Sequence, residues 1–101
     1  MAKDTLPIVL FTTRAFANAE TIKNYLLYKF TQREVNKFYE LLGIFENIIV
    51  KFPQLYPKSS INSKVHRAVL SKQLSVFYTT TKNKITVVAI LDNRMSDTKW
   101  P

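Results

Sequence analysis

Six apolar residues, Val35, Phe38, Leu42, Phe45, Ile49 and Phe52, follow one another at spacings of three, four, three, four and three, which places them on one stripe of a helix. The segment opens on Thr31-Gln32-Arg33-Glu34, the S/T-x-x-E pattern of a capping box, in which hydroxyl and carboxylate each satisfy a free backbone N–H, and Pro53 closes it. Upstream, Ala15, Ala19, Ile22, Leu26 and Phe30, widened by Tyr25, predict an earlier amphipathic helix from about Arg14 to Phe30. Two helices joined this tightly form an antiparallel hairpin, and their aromatic-rich stripes need a sheet to cover. With 101 residues there is room for one core, so a single domain over 1–101 is expected.

Ile8 to Thr12, a short β-branched run after Pro7, reads as a buried strand. From Pro53 to Ser63 the composition turns to Pro, Ser, Asn and Lys, which predicts an exposed, mobile loop. Three β-like runs follow, Lys64 to Leu70, Leu74 to Thr81 and Ile85 to Leu91, separated by Ser71-Lys72-Gln73 and Lys82-Asn83-Lys84, with Asn83 suited to a left-handed turn position. The last run is apolar on both faces and belongs in the middle of the sheet. The expected class is therefore α+β, in the order β-α-α-β-β-β, with a helical hairpin on a small antiparallel sheet. Gly43, the only glycine, lies inside the second helix, where it costs about 1 kcal/mol relative to alanine, and reads as a close packing contact.

Several chemistries are excluded. One glycine cannot build a phosphate-cradling loop, so no nucleotide cofactor is expected. Without cysteine there is no disulfide, thiol nucleophile or thiolate metal site, which fits a reducing, cytoplasmic setting. No apolar run reaches the ~18 residues of a membrane span, and the N-terminus has no export signal. His66 is the only histidine, and Glu20, Glu34, Glu40 and Glu46 fall on the helices, leaving only Asp92 and Asp97 able to share a site, so no metal centre is expected. The charge of +8 is uneven: residues 1–57 hold seven bases and five acids, whereas 58–101 hold eight bases against Asp92 and Asp97. The C-terminal half is the face for a polyanion or an acidic protein.

Phosphate chemistry without a metal needs a base, cations to hold developing charge, and an acid. Strand alternation puts Lys64, His66 and Ala68 on one face and Val65, Arg67 and Val69 on the other. If Val65 and Val69 face the core, His66 and Lys64 point outward and Arg67 is half-buried. The plainer roles are a solvated His66, a sheet-packing Tyr78, an Arg94 paired with Asp92 or Asp97, and a Trp100 that closes the tail onto the body.

The run Val87-Val88-Ala89-Ile90-Leu91-Asp92-Asn93-Arg94-Met95 resembles the last strand of the RelE/ParE toxin superfamily, and of its ParE branch in particular, where V-V-A-I-L is followed shortly by R-M; Asp92 stands at a frequent histidine. The resemblance implies the same element order and a toxin of a type II toxin–antitoxin system that inhibits DNA gyrase without being an enzyme, needs no cofactor and is neutralised by a small acidic antitoxin. Target contact is then expected at Arg94 and from Met95 to Trp100, supported by Lys64, Arg67 and Lys72. The alternative within the superfamily is a RelE-like toxin that cleaves mRNA on the ribosome with His66, Arg67, Tyr78 and Arg94. Here His66 and Ala68 stand at what resemble that branch's lysine positions, and Val76-Phe77-Tyr78 is preceded by Ser75. A nontoxic nucleic-acid or protein-binding module on the same fold is the third reading.

Overall fold

The computed structural model describes residues 6–95. Its elements run β1 (Ile8–Phe11), α1 (Thr13–Lys29), α2 (Gln32–Ile49), β2 (His66–Val69), β3 (Leu74–Thr80) and β4 (Lys84–Asp92). The strands lie in the order β1-β4-β3-β2, with β2, β3 and β4 in the expected antiparallel meander and β4 inside the sheet. β1 joins β4 in parallel, so the sheet is mixed at that edge. The first strand is consequently not buried: Ile8 and Leu10 are exposed at the edge, while Val9 and Phe11 pack partly against the core.

Both helical stripes are buried except at their C-terminal ends, where Phe30, the C-cap of α1, and Phe52 are exposed. Ala15, Ile22 and Leu26 of α1 and Val35, Phe38, Leu42, Phe45 and Ile49 of α2 are buried against Ala68, Leu74, Val76, Tyr78, Ile85, Val87 and Ile90 of the sheet. Val65, Phe77, Ala89 and Leu91 form a second, smaller cluster. The α2 stripe ends at Ile49 rather than at Phe52. Lys51 and Phe52 donate to the Ile48 carbonyl in a tight turn, Pro53 keeps Phe52 out of helical geometry, and Phe52 is exposed.

Thr12 belongs to the helix, not to the strand. It is the N-cap of α1, its Oγ1 accepting from the Ala15 N–H at 3.0 Å while the same hydroxyl donates to the Val88 carbonyl at 3.3 Å. Val88 is the extra residue of a β-bulge, since Phe77 pairs with Ala89 and Tyr78 with Val87. The Ile90 N–H is taken by Asn18 Oδ1 of α1 at 3.0 Å. The bulge changes the alternation: Ile85 and Val87 share the helix side with Ile90, whereas Ala89 and Leu91 belong to the second cluster.

Four expectations change. The loop after α2 is pinned, with the Pro53 carbonyl accepting from Tyr78 Oη, the Tyr56 carbonyl from His66, and the Pro57 carbonyl from the Arg67 N–H. No described residue has positive φ, so the turn through Asn83 closes without a left-handed residue. Thr31 makes no side-chain cap bond, although α2 begins beside it. Gly43 is not a packing contact, because a Cβ there would meet nothing within 4 Å. Its backbone freedom is a cost with no return inside the described chain. Gly43→Ala is therefore expected to stabilise the free protein by about 1 kcal/mol, raising the thermal midpoint by roughly 4–8 °C in a chain of this size; calorimetry checks it, and a lower midpoint would mean that the site is not open.

Candidate functional site

Because of the bulge, Asp92 pairs with Leu74 on the helix side and is buried. A buried carboxylate needs charged partners, and Arg94 supplies them. Its Nε donates to Asp92 Oδ1 at 3.0 Å, its Nη2 to Oδ2 at 2.7 Å, and its backbone N–H to Oδ1 at 2.9 Å. The third guanidinium nitrogen, Nη1, donates to Glu34 Oε1 at 3.2 Å. The carboxylate that the sequence assigns to a capping box is thus drawn to an arginine from the other end of the chain. Phe30 lies against the guanidinium, 5.3 Å from Cζ to ring centroid, and Tyr25 Oη donates to the Arg94 carbonyl at 2.8 Å. Hydrogen bonding to Asp92, against the opposing effect of partial burial, raises the Arg94 pKa above its ordinary value, so it stays charged.

This clasp borders a small polar depression lined by Glu34, Lys37, Ser71, Gln73 and Arg94 over Phe38, Leu41 and Leu74. Lys72 lies exposed in the β2–β3 turn between the lining residues Ser71 and Gln73, its carbonyl accepting from Asn93 Nδ2 at 3.0 Å. Met95 is half-buried and packs against the core. Trp100 and Asp97 lie outside the described residues. Of the expected target-contacting set, then, Lys72, Arg94 and Met95 gather at one end. Lys64 sits exposed just before β2, and Arg67 pairs with Phe77 on the other side of the sheet, with Nη2 3.4 Å from Ser75 Oγ.

His66 does not point outward. The register pairs it with Tyr78, on the helix side, where it is 6 % exposed. Its ring stacks on Tyr78 at 4.9 Å and 14°, and Nδ1–H donates to the Tyr56 carbonyl at 2.8 Å, which fixes the tautomer. Tyr56 and Phe45 close the cluster edge-on and tilted. Burial, the largest cause, pushes the Tyr78 hydroxyl up to about 12, so it remains a neutral donor to Pro53. Asp92 pairs with Leu74, four residues along β3 from Tyr78, roughly 13 Å, so His66, Arg67, Tyr78 and Arg94 do not converge on one phosphate-sized space.

A second feature has no signal in the linear pattern: an open, largely apolar cleft between the helices, lined by Phe11, Phe16, Ala19, Tyr39, Leu42 and Gly43, with Glu20 and Glu46 at its rim. Phe16 is 64 % exposed and Tyr39 44 %. The missing side chain at Gly43 is part of what opens it. Among the described residues no group of three or more His, Cys, Asp or Glu side chains is placed to hold a metal ion, and no helix is long and apolar enough to cross a membrane.

The clasp is expected to carry stability. Arg94→Ala leaves Asp92 buried beside Glu34 and should cost roughly 3 kcal/mol, but much less in an Asp92→Asn background, a coupling that a double-mutant cycle of urea unfolding detects. Lys23→Ala, which breaks an exposed pair with Glu20 at 2.9 Å, should change nothing measurable. Additive losses at Arg94 and Asp92 would show that the pair is not coupled.

No protein-family model matches the chain, and no curated protein sequence matches it. Solved structures do. The chromosomal ParDE toxin–antitoxin system of P. aeruginosa contains a chain similar to this one with a TM-score of 0.72 and 13% identity, covering 86% of this chain and 96% of that chain. YafQ from E. coli strain BL21(DE3) is similar with a TM-score of 0.59 and 12% identity, over 87% and 94% of the two chains. A chain of the E. coli DinJ–YafQ toxin–antitoxin complex is similar with a TM-score of 0.57 and 11% identity, over 92% and 99%. Two helices on a four-stranded mixed sheet, in the order β1-α1-α2-β2-β3-β4, are the RelE/ParE-like fold.

Proposed function

We propose that this chain is the toxin of a type II toxin–antitoxin pair, a ParE-like inhibitor of DNA gyrase that a small acidic antitoxin holds inactive. The observation that carries the reading is the likeness to the ParDE structure across nearly the whole of both chains. The Val87-Val88-Ala89-Ile90-Leu91 strand with its following Arg94-Met95 supports the same branch. The DinJ–YafQ complex supports an antitoxin partner for a protein of this fold.

Each half of the proposal has a place on the surface. An acidic chain is steered by the basic excess of residues 58–101 and anchored through its apolar side chains, not its carboxylates, in the cleft of Phe16, Tyr39 and Leu42, whose lining includes Glu20 and Glu46. Gyrase is engaged at the polar clasp, where Arg94 keeps about a quarter of its side chain exposed and Lys72 is exposed in the β2–β3 turn. The clasp then has two duties: Asp92 and Glu34 hold the guanidinium in one orientation, so little side-chain entropy is lost on binding. The RelE-like alternative asks His66, Arg67, Tyr78 and Arg94 to act on one phosphate, and their separation favours the non-nucleolytic reading.

Purified gyrase titrated with this protein should lose supercoiling activity and accumulate cleaved DNA, and a small acidic protein encoded beside it should restore activity. Lys72→Glu, an exposed change that leaves the fold intact, should raise the half-inhibiting concentration about ten-fold, which corresponds to one charge-assisted contact. Unimpaired supercoiling at high molar excess, with discrete mRNA cleavage on translating ribosomes, would replace the gyrase target by the ribosome.

A further inference from the structure

The end of the sheet opposite the clasp carries a charge pattern of which the toxin readings use only Lys64. Gln54 Nε2 donates to Thr80 Oγ1 at 3.3 Å and Tyr78 Oη to the Pro53 carbonyl at 3.0 Å, which seats the segment after α2 against the last residues of β3. Thr81 donates to the Lys84 carbonyl at 2.8 Å and closes the β3–β4 turn beside it. These bonds bring Lys51, Lys82 and Lys84 to one end, and Lys64, just before β2, extends the row. All four are exposed, and among the described residues none is in an ion pair. The described acids are elsewhere: Glu34 and Asp92 in the clasp, Glu20 and Glu46 at the cleft, and Glu40 midway along α2. Phe52, next to Lys51 in the chain, is 59 % exposed and has no place in the core.

We infer that this end is a binding surface for single-stranded nucleic acid, with Lys51, Lys82 and Lys84 on the phosphates and Phe52 stacked on a base. Unpaired lysines without acids suit a phosphodiester chain, because each contact releases counterions. A flat, exposed ring beside Lys51 suits the face of a base, which every nucleotide presents. Lysine rather than arginine, and a single ring, predict binding without sequence preference. The surface stands independently of the toxin reading and is tested without gyrase or ribosomes.

The experiment is fluorescence anisotropy of a labelled oligothymidine with the full chain across a salt series. Wild type should bind near 50 mM salt, and Lys82→Gln/Lys84→Gln should weaken binding about ten-fold and flatten the log–log salt dependence by up to about 1.4, two contacts at 0.7 each. Lys29→Gln/Arg33→Gln, the same charge change at the helical-hairpin end, should weaken it less than about three-fold. Phe52→Ala should weaken it with the salt slope unchanged, since stacking releases no ions. Absence of wild-type binding, equal losses from the two charge pairs, or displacement of the oligonucleotide by polyglutamate as readily as by unlabelled strand would each overturn the inference.

Discussion

One extra residue in β4 decides how the rest of the molecule closes. With Val88 bulged, Ile90 and the buried Asp92 turn to the helix side of the sheet; without it they would lie on the opposite face from Ile85 and Val87. A carboxylate delivered there has to be neutralised, and the residue two places on does so with three donors. Arg94 then reaches Glu34 at the start of α2 and covers Phe30, and Tyr25 of α1 binds its carbonyl. A short register irregularity thus ties the exit of the last strand to both helices.

The bulge is itself held by the helices. Thr12 closes α1 and binds the Val88 carbonyl with one hydroxyl, and Asn18, a turn and a half into α1, receives the Ile90 N–H. Backbone groups that a bulge removes from the ladder are costly when buried without partners. Two small polar side chains on a mostly apolar helix face meet that need, and this is why α1 lies along β4 toward Arg94. The hairpin then returns α2 over β3, where Phe45 meets the Tyr78–His66 stack.

The two ends of the sheet consequently differ in kind. One is ordered by charge pairing and presents an arginine held in place; the other presents lysines that make no ion pair among the described residues. Between them, the helices leave a cleft whose floor includes a glycine with open space above it. On the proposed division of function among surfaces that share one core, a substitution in the clasp would change stability and recognition together, whereas one at an exposed lysine would change recognition alone.

Element order, the helical stripes short of Phe30 and Phe52, and the central place of β4 were legible in the sequence, because they follow from local periodicity and from a strand that is apolar on both sides. The sequence also contained the residues of the clasp, and closeness in the chain left Arg94 two partners, Asp92 or Asp97, of which the structure shows Asp92. What it could not decide was direction. His66 alternates with Arg67, and either face could have been the inner one until pairing with Tyr78 and Val76 set the parity. Glu34 fits a capping motif, but its competing partner lies 60 residues away. Gly43 reads alike whether it is crowded or open. Only the tertiary structure decided these, because a side chain's period is a local property, whereas the partner it meets is set by strand register and by how distant segments pack.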